Sequence, residues 1–468
     1  MSREKELVKN TGILAIGKLS AKLFTFLLLP LYTSVLLPED YGTIDVLQTV
    51  ISLSLYIVTL QIDAAIFRYL IEYRNSENKQ IEYLSSGMLV YLAGSVVFTI
   101  AIVILNIFWP IPHVLLLIAA YWVNSFANIM LNVLRGYGHN GMYSVVSTAI
   151  TVVALITNIL LILVFHFGGE AILIALFVSN LFGGISVFLY EKLWKKIQLN
   201  SVDICKLKEM LSYSIPLVPT AVSWWVANMS DRVLILVFLG NTFNGIYAAA
   251  NKLPAIYTTI YTIFNLAWTE NVTISMKDKD RDGYLNRMME SSYRLFSFLV
   301  LGIICCSSLL FEILIGINYR GAYPHIFILL LAVFVNSMCS MYGGMFIGFK
   351  DSKTTGITTI LGAVVNLIVN LCLINVIGLY AASVSTLISY LVILFARMKV
   401  SERMIKIRLP LRFTLQLLVM FAIVGVVYFV NNHILMLFVL ILVCVWGYFN
   451  NKEIVWKIFK TMRAKIMQ

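Results

Sequence analysis

The chain has 468 residues, 60% hydrophobic and only 12% charged, with a formal net charge of +12 and a mean hydropathy of +0.89. Soluble domains carry about 25% charged residues, and a soluble protein of 52.8 kDa lacks the polar surface to cover so much apolar side chain. These figures exclude a cytosolic enzyme, a secreted disulfide scaffold and a disordered polymer, and leave an integral, all-α membrane protein.

A spanning helix needs about 20 mostly apolar residues. In chain order this ruler predicts about fourteen, over 12–36, 42–69, 83–108, 113–134, 142–165, 170–190, 210–238, 243–268, 293–316, 324–348, 354–375, 378–396, 412–430 and 433–450. The basic opening MSREKELVKN leads into an apolar stretch interrupted by Lys18 and Lys22 and without a small-residue cleavage site, so it is read as a span rather than a signal peptide. With loops alternating between sides, 30 of the 35 Lys and Arg fall on the side that holds both termini, and only Arg320 falls opposite. The positive-inside rule then makes both termini cytoplasmic. The outer loops are short, the longest being GINYRGAYP at 316–324, and give no room for an external catalytic domain. Basic residues spread over such loops orient helices and do not point to nucleic acid.

The chain repeats itself. GYGHNGMYSVVSTAITVVALITNIL (136–160) aligns with GFKDSKTTGITTILGAVVNLIVNLC (348–372), matching Gly136 with Gly348 and Asn158 with Asn370. FGGEAILIALFVSNL then aligns with IGLYAASVSTLISYL, and LLPEDYG ending at Gly42 resembles FLGNTFNG ending at Gly245. This is a parallel repeat of two six-helix lobes, 1–198 and 199–400, followed by two additional spans and a cytoplasmic tail over 401–468. Two repeated bundles are the plan of an alternating-access transporter.

Several apparent motifs carry no chemistry. GILAIGKL (12–19) has the spacing of a phosphate loop, but position 19 is Leu and no strand precedes it. The sequon at Asn271 lies on the cytoplasmic side. Five of the six cysteines sit in apolar segments and read as small buried hydrophobes. The five histidines sit at helix ends without ligand spacing and read as interfacial, so neither a metal site nor a cofactor is expected.

The informative residues are ionisable groups inside the spans: Lys18, Lys22, Arg232 and Lys252, each costing ~2.5–3.5 kcal/mol at the bilayer centre unless it meets water or a partner. Lys18 and Asp63 lie at similar depth, which allows an ion pair. Asp231 neighbours Arg232 but points about 100° away around the helix. Lys22, Arg232 and Lys252 are read as the bases of a water-filled cavity, with structural pairing as the alternative. Polar stripes run along three spans: Asp45, Thr49, Ser52, Tyr56, Thr59 and Asp63 on the second; Asn124, Asn128 and Asn132 into Arg135 on the fourth; and Asn244, Tyr247, Asn251, Thr258, Tyr261, Asn265 and Thr269 on the eighth. Continuous polar faces turn away from lipid, and together they predict a polar path. Pro30, Pro216, Pro219 and Pro254 fall in the spans that hold the buried bases, as hinges or passive kinks.

SYSIPLVPTAVSWWVANMSDRVLILVFLGNTFNGIYAAANKL (212–253), with LLPEDYGTIDVLQ (36–48) and GFKDSKTTGITTILGAVVNLIVNLCLINVIGLYAASVSTLISY (348–390), resembles the polysaccharide transporter family, the flippases of lipid-linked oligosaccharide repeat units for O-antigen, capsule and exopolysaccharide. The resemblance extends from about residue 7 to 400 and is specific for the superfamily that also holds the multidrug exporters. It implies a V-shaped, MATE-like body of two six-helix lobes around a cationic cavity in the bacterial plasma membrane. The substrate implied is a polyprenyl-pyrophosphate oligosaccharide, its pyrophosphate on cavity bases and its polyprenyl tail in membrane lipid, with a polysaccharide polymerase complex as the partner such a protein would serve. The Ser-Asp-Arg motif carries Arg232 over as a cavity base, with Asp231 beside it. Proton or sodium coupling is common in the superfamily, and Asp63 or Asp231 could serve it. A cation-coupled drug exporter is the alternative, although a cavity of Lys22, Arg232 and Lys252 would repel cationic drugs. An enzyme would need a catalytic cluster that the short loops do not supply.

Overall fold

The computed structural model describes residues 28–276, 278–407 and 409–466. Every regular element among them is helical, as a lipid environment demands of chains that must satisfy their own backbone hydrogen bonds. The helices are α1 (Pro38–Ile57), α2 (Ile62–Glu72), α3 (Glu77–Phe108), α4 (Val114–Gly136), α5 (Asn140–Ile159), α6 (Glu170–Tyr190), α7 (Ile204–Ser214), α8 (Val218–Leu239), α9 (Asn241–Ala250), α10 (Lys252–Ser275), α11 (Arg281–Leu314), α12 (Tyr323–Gly348), α13 (Ser352–Ile377), α14 (Tyr380–Ser401), α15 (Leu411–Val430) and α16 (His433–Ile466), with short turns between. Ten described helices are long and apolar enough to cross a membrane, or up to twelve if each of two bent pairs is one span. The count of fourteen exceeds this by two. The first span lies mostly outside the described residues, and α10 of the eighth is not among the ten, because its polar residues dilute its hydropathy.

The second span is one of the bent pairs: α1 and α2 meet at 48°. Between them Leu60 and Gln61 take φ of 52° and 56°, a left-handed conformation rarely adopted by residues with a side chain. The Ile62 and Ala64 amides donate to Thr59 and Gln61, so the break keeps its backbone bonded. Gly94 of α3 lets that helix approach, since a Cβ there would stand 2.6 Å from the Val58 carbonyl oxygen. The seventh span bends by 58° between Val226 and Asn228. That bend is not at Pro216, which sits in a 3-10 turn, nor at Pro219, in the first turn of α8, where a missing N–H costs little. Pro254 likewise falls in the first turn of α10, just after the break at Asn251.

The chain divides into two compact units, 1–245 and 246–468. In the first, α2, α3, α4 and α7 share a core that includes Ile66, Leu70, Tyr83, Met130, Val133 and Met210. The seventh span belongs to this unit because α8 packs along α1. In the second, α12 is the most buried span and packs on α10, α11 and α14, while α15 and α16 lie against α11. Arg397, counted from sequence among the loop bases, is instead buried in α14. Its Nε donates to Thr358 Oγ1 (2.9 Å), Nη1 to the Cys339 carbonyl (2.6 Å), and Nη2 to Thr359 Oγ1 (3.0 Å) and the Thr355 carbonyl (3.2 Å). One guanidinium thus ties three helices together. Two smaller expectations are corrected. His325 is buried against Ser383 Oγ (3.0 Å) rather than interfacial, and Cys306, Cys372 and Cys444 are exposed, leaving Cys305 and Cys339 as the buried cysteines.

The repeat is visible in the packing. A Cβ on Gly136, at the end of α4, would meet Leu70 of α2 at 2.7 Å; on the aligned Gly348, at the end of α12, it would meet Val272 of α10 at 2.6 Å. Ile150 of α5 fills the space left by Gly183 of α6, and at the aligned positions Ile393 of α14 fills the space left by Gly362 of α13. The contact is kept at the aligned positions while large and small partners change sides.

Candidate functional site

Two polar clusters lie inside the spans of the first unit. One is built where α1 and α9 begin. Pro38 opens α1 with its fixed φ, and Glu39 and Asp40 complement the positive helix end. Gly42, one turn on, packs against the backbone of Asn241, and a Cβ there would lie 1.9 Å from the Asn241 carbonyl oxygen. Reciprocally, a Cβ on Gly245 would lie 1.8 Å from the Pro38 carbonyl oxygen. The two repeat-related segments therefore touch backbone to backbone in a symmetric fashion that only glycine permits.

Beside this contact Arg232 of α8 donates from Nη1 to Asp45 Oδ1 at 2.9 Å. Asn244, fully buried, donates from Nδ2 to the Gly42 carbonyl at 2.9 Å, and the same nitrogen lies 3.5 Å from Asp45 Oδ2. Asp45 is 7% and Arg232 19% exposed, so the carboxylate is enclosed while part of the guanidinium is open. Among the described residues Arg232 makes this one hydrogen bond, leaving Nε and Nη2 available. Two turns along, Trp225 Nε1 donates to Ser52 Oγ at 3.0 Å and fixes the rotation of α8 against α1.

The second cluster surrounds Asp63, on the first turn of α2. Asn128 and Asn132 of α4 each donate to Asp63 Oδ2 at 3.1 Å, and Arg135 reaches Asn132 Oδ1 at 3.4 Å. The stripe read on the fourth span thus has a concrete partner: two of its carboxamides hold one intramembrane carboxylate. Asn124, half-buried, continues that face one turn away.

The other predicted residues are distributed as follows. Lys18 and Lys22 lie outside the described residues. Asp231 is buried and Lys252 half-buried, and both are engaged by neighbouring groups. Asn251 precedes α10 and donates to the Tyr247 carbonyl at 2.8 Å, and Tyr261 donates to Asn265 Oδ1 at 3.1 Å within the second unit. Sequence reasoning gave Arg232 a neighbour in Asp231 and missed Asp45 as its ion-pair partner. The signal was present. Asp45 lies seven residues inside the start of α1 and Arg232 seven residues from the end of α8, about 10 Å deep in both cases.

The family model described as "Polysaccharide biosynthesis protein" matches residues 7–269, the stretch that carries both clusters. The chain belongs to this family. An Lsg locus protein of Haemophilus influenzae is 27% identical over 304 residues, 64% of this chain and 73% of that one. The fold is similar to that of the lipid II flippase MurJ in an inward closed conformation (TM-score 0.71, 14% identity, 95% of this chain and 98% of that one). It is also similar to an inward-facing multidrug resistance MATE family transporter (TM-score 0.66, 14% identity, 83% and 98%). The family member is therefore a polytopic helical membrane protein of polysaccharide biosynthesis with a MATE-like fold.

Proposed function

We propose that the protein flips a polyprenyl-pyrophosphate-linked oligosaccharide repeat unit from the cytoplasmic to the outer leaflet of the bacterial plasma membrane, for O-antigen, capsule or exopolysaccharide synthesis. The observation that carries this reading is the half-committed Arg232: a guanidinium inside a span, held by one N–H···O contact to Asp45 while Nε and Nη2 have no hydrogen-bond partner among the described residues. A planar fork with unused donors suits the bidentate oxygens of a pyrophosphate. Arg232, Lys252, Lys18 and Lys22 are the bases assigned to that group, and the Asn, Tyr and Thr faces are assigned to sugar hydroxyls. The lobes 1–198 and 199–400 alternate in access, with both termini cytoplasmic, and the spans over 401–468 are additional to them. Asp63, clasped by two carboxamides, is the first choice for coupling to a proton or sodium gradient, and Asp231 the second.

The test is a sidedness assay. Protein in liposomes loaded with a polyprenyl-pyrophosphate oligosaccharide should expose the sugar to an external lectin, and Arg232→Ala and Lys22→Ala should abolish exposure at unchanged levels of folded protein. Wild-type exposure by both variants would remove the pyrophosphate role of these bases. No exposure by the wild type, together with efflux of a small organic ion, would assign the protein to the exporter branch of the same superfamily.

A further inference from the structure

Along α8 the residues Thr220, Trp224, Asn228 and Arg232 follow one another at intervals of four, a stripe that drifts slowly around the helix and through its bend. Thr220 and Asn228 are exposed, the Trp224 indole is 52% exposed, and the Arg232 side chain is 19% exposed. Asn228 donates from Nδ2 to the Trp224 carbonyl at 2.7 Å, which leaves its Oδ1 without a partner among the described residues. The Trp224 indole N–H and the Thr220 hydroxyl make no hydrogen bond to any described residue either.

A tryptophan exposed on a membrane helix often marks the lipid interface. Two observations oppose that reading here. Asn228 lies ten residues into α8, about 15 Å along the axis and well below any interfacial belt. An uncommitted amide, hydroxyl and indole N–H in a row cannot face hydrocarbon without loss.

We propose that Trp224 is a sugar-stacking platform: its indole face takes the C–H face of a pyranose ring of the transported glycan, while Thr220 Oγ1 and Asn228 Oδ1 bond the ring's hydroxyls. The proposal rests on the flippase reading. It extends that reading from the pyrophosphate to the glycan, since Trp224 and Arg232 are about 12 Å apart along the helix, a separation that a short oligosaccharide spans.

The experiment compares binding of two lipids to the full-length protein in nanodiscs by native mass spectrometry: a polyprenyl pyrophosphate bearing an oligosaccharide, and the sugar-free polyprenyl pyrophosphate. Trp224→Leu keeps an apolar side chain and removes the aromatic face. It should weaken the glycan-bearing lipid about tenfold, as loss of one well-stacked ring does, and leave the sugar-free lipid unchanged. Trp224→Phe, the gentler change, should lose about threefold, again for the glycan-bearing lipid alone. Unchanged binding of both lipids by Trp224→Leu and Trp224→Phe would mean that the indole faces lipid, and equal losses for both lipids would mean a structural role; either result overturns the platform. Wild-type protein that binds neither lipid overturns the flippase reading and the platform together, whereas wild-type binding with unaltered variants overturns the platform alone.

Discussion

Replacing Gly42 by alanine tests the backbone contact between α1 and α9 most directly. The new Cβ would sit 1.9 Å from the Asn241 carbonyl oxygen, where ordinary contact begins near 3.4 Å, so the two backbones must part by 3.4 − 1.9 = 1.5 Å. Neither partner can rotate away, because both are main chain. A displacement of that size breaks the 2.9 Å bond from Asn244 to the Gly42 carbonyl and loosens the fully buried Asn244 from Asp45. Leaving one buried amide unsatisfied costs about 1–3 kcal/mol. The closed packing should therefore lose about 2 kcal/mol, or roughly 30-fold in its population relative to a parted state. Hydrogen–deuterium exchange over residues 38–50 and 239–246 reads this directly, and Gly42→Ala and Gly245→Ala should raise it by about that factor. Gly302→Ala and Gly356→Ala are the controls, since a Cβ at either meets nothing within 4 Å. If Gly42→Ala exchanged like these controls, the backbone contact would not be holding the segments together and the reasoning would fail.

Asp45→Ala strands the Arg232 guanidinium inside the span. Removing one partner of a buried pair costs about 3–5 kcal/mol, and the partial exposure of Arg232 reduces this to about 1–3 kcal/mol; a lowered Tm, restored in part by Asp45→Ala with Arg232→Met, is the expected outcome. Arg397→Leu leaves two threonine hydroxyls and two helix carbonyls short of a donor, so folded protein should be scarce after detergent extraction; Arg397→Lys, which cannot span all four acceptors, should give an intermediate yield. Asp63→Asn keeps an acceptor oxygen for Asn128 and Asn132, and the variant should fold with wild-type Tm. Its lipid-linked glycan exposure should no longer respond to an imposed proton or sodium gradient, as a liposome assay with and without the gradient would reveal.

Much of the candidate site was legible in the chain because a bilayer penalises every misplaced polar group. Arg232 and Asp63 stood out as ionisable residues in apolar stretches, and Asn128 and Asn132 as a stripe of helical period. What periodicity cannot supply is the rotation and partner of each helix. Asp45 lies 187 residues from Arg232, and the two meet only because α1 and α8 pack at matching depth with Trp225 on Ser52. The break at Leu60 and Gln61 has no proline or glycine to announce it; it exists because α3 approaches through Gly94 and because α2 is drawn into the core by Ile66 and Leu70. Arg397 looked like a loop base because it follows an apolar run, and only the convergence of three helices turns it into a buried tie.

By itself, the sequence determined that this chain lives in a membrane, that it is helical throughout its spans, and which family it belongs to. Each follows from composition, period or motif, properties that survive without knowledge of any contact. The tertiary structure alone decided that Gly42 and Gly245 are each other's neighbours, that Arg232 answers to Asp45, and that Asp63 is held by amides of the fourth span. Those pairings depend on helix rotation and on close approach of backbones, and free energy terms of that kind are set by what packs across the gap, not by what lies next along the chain.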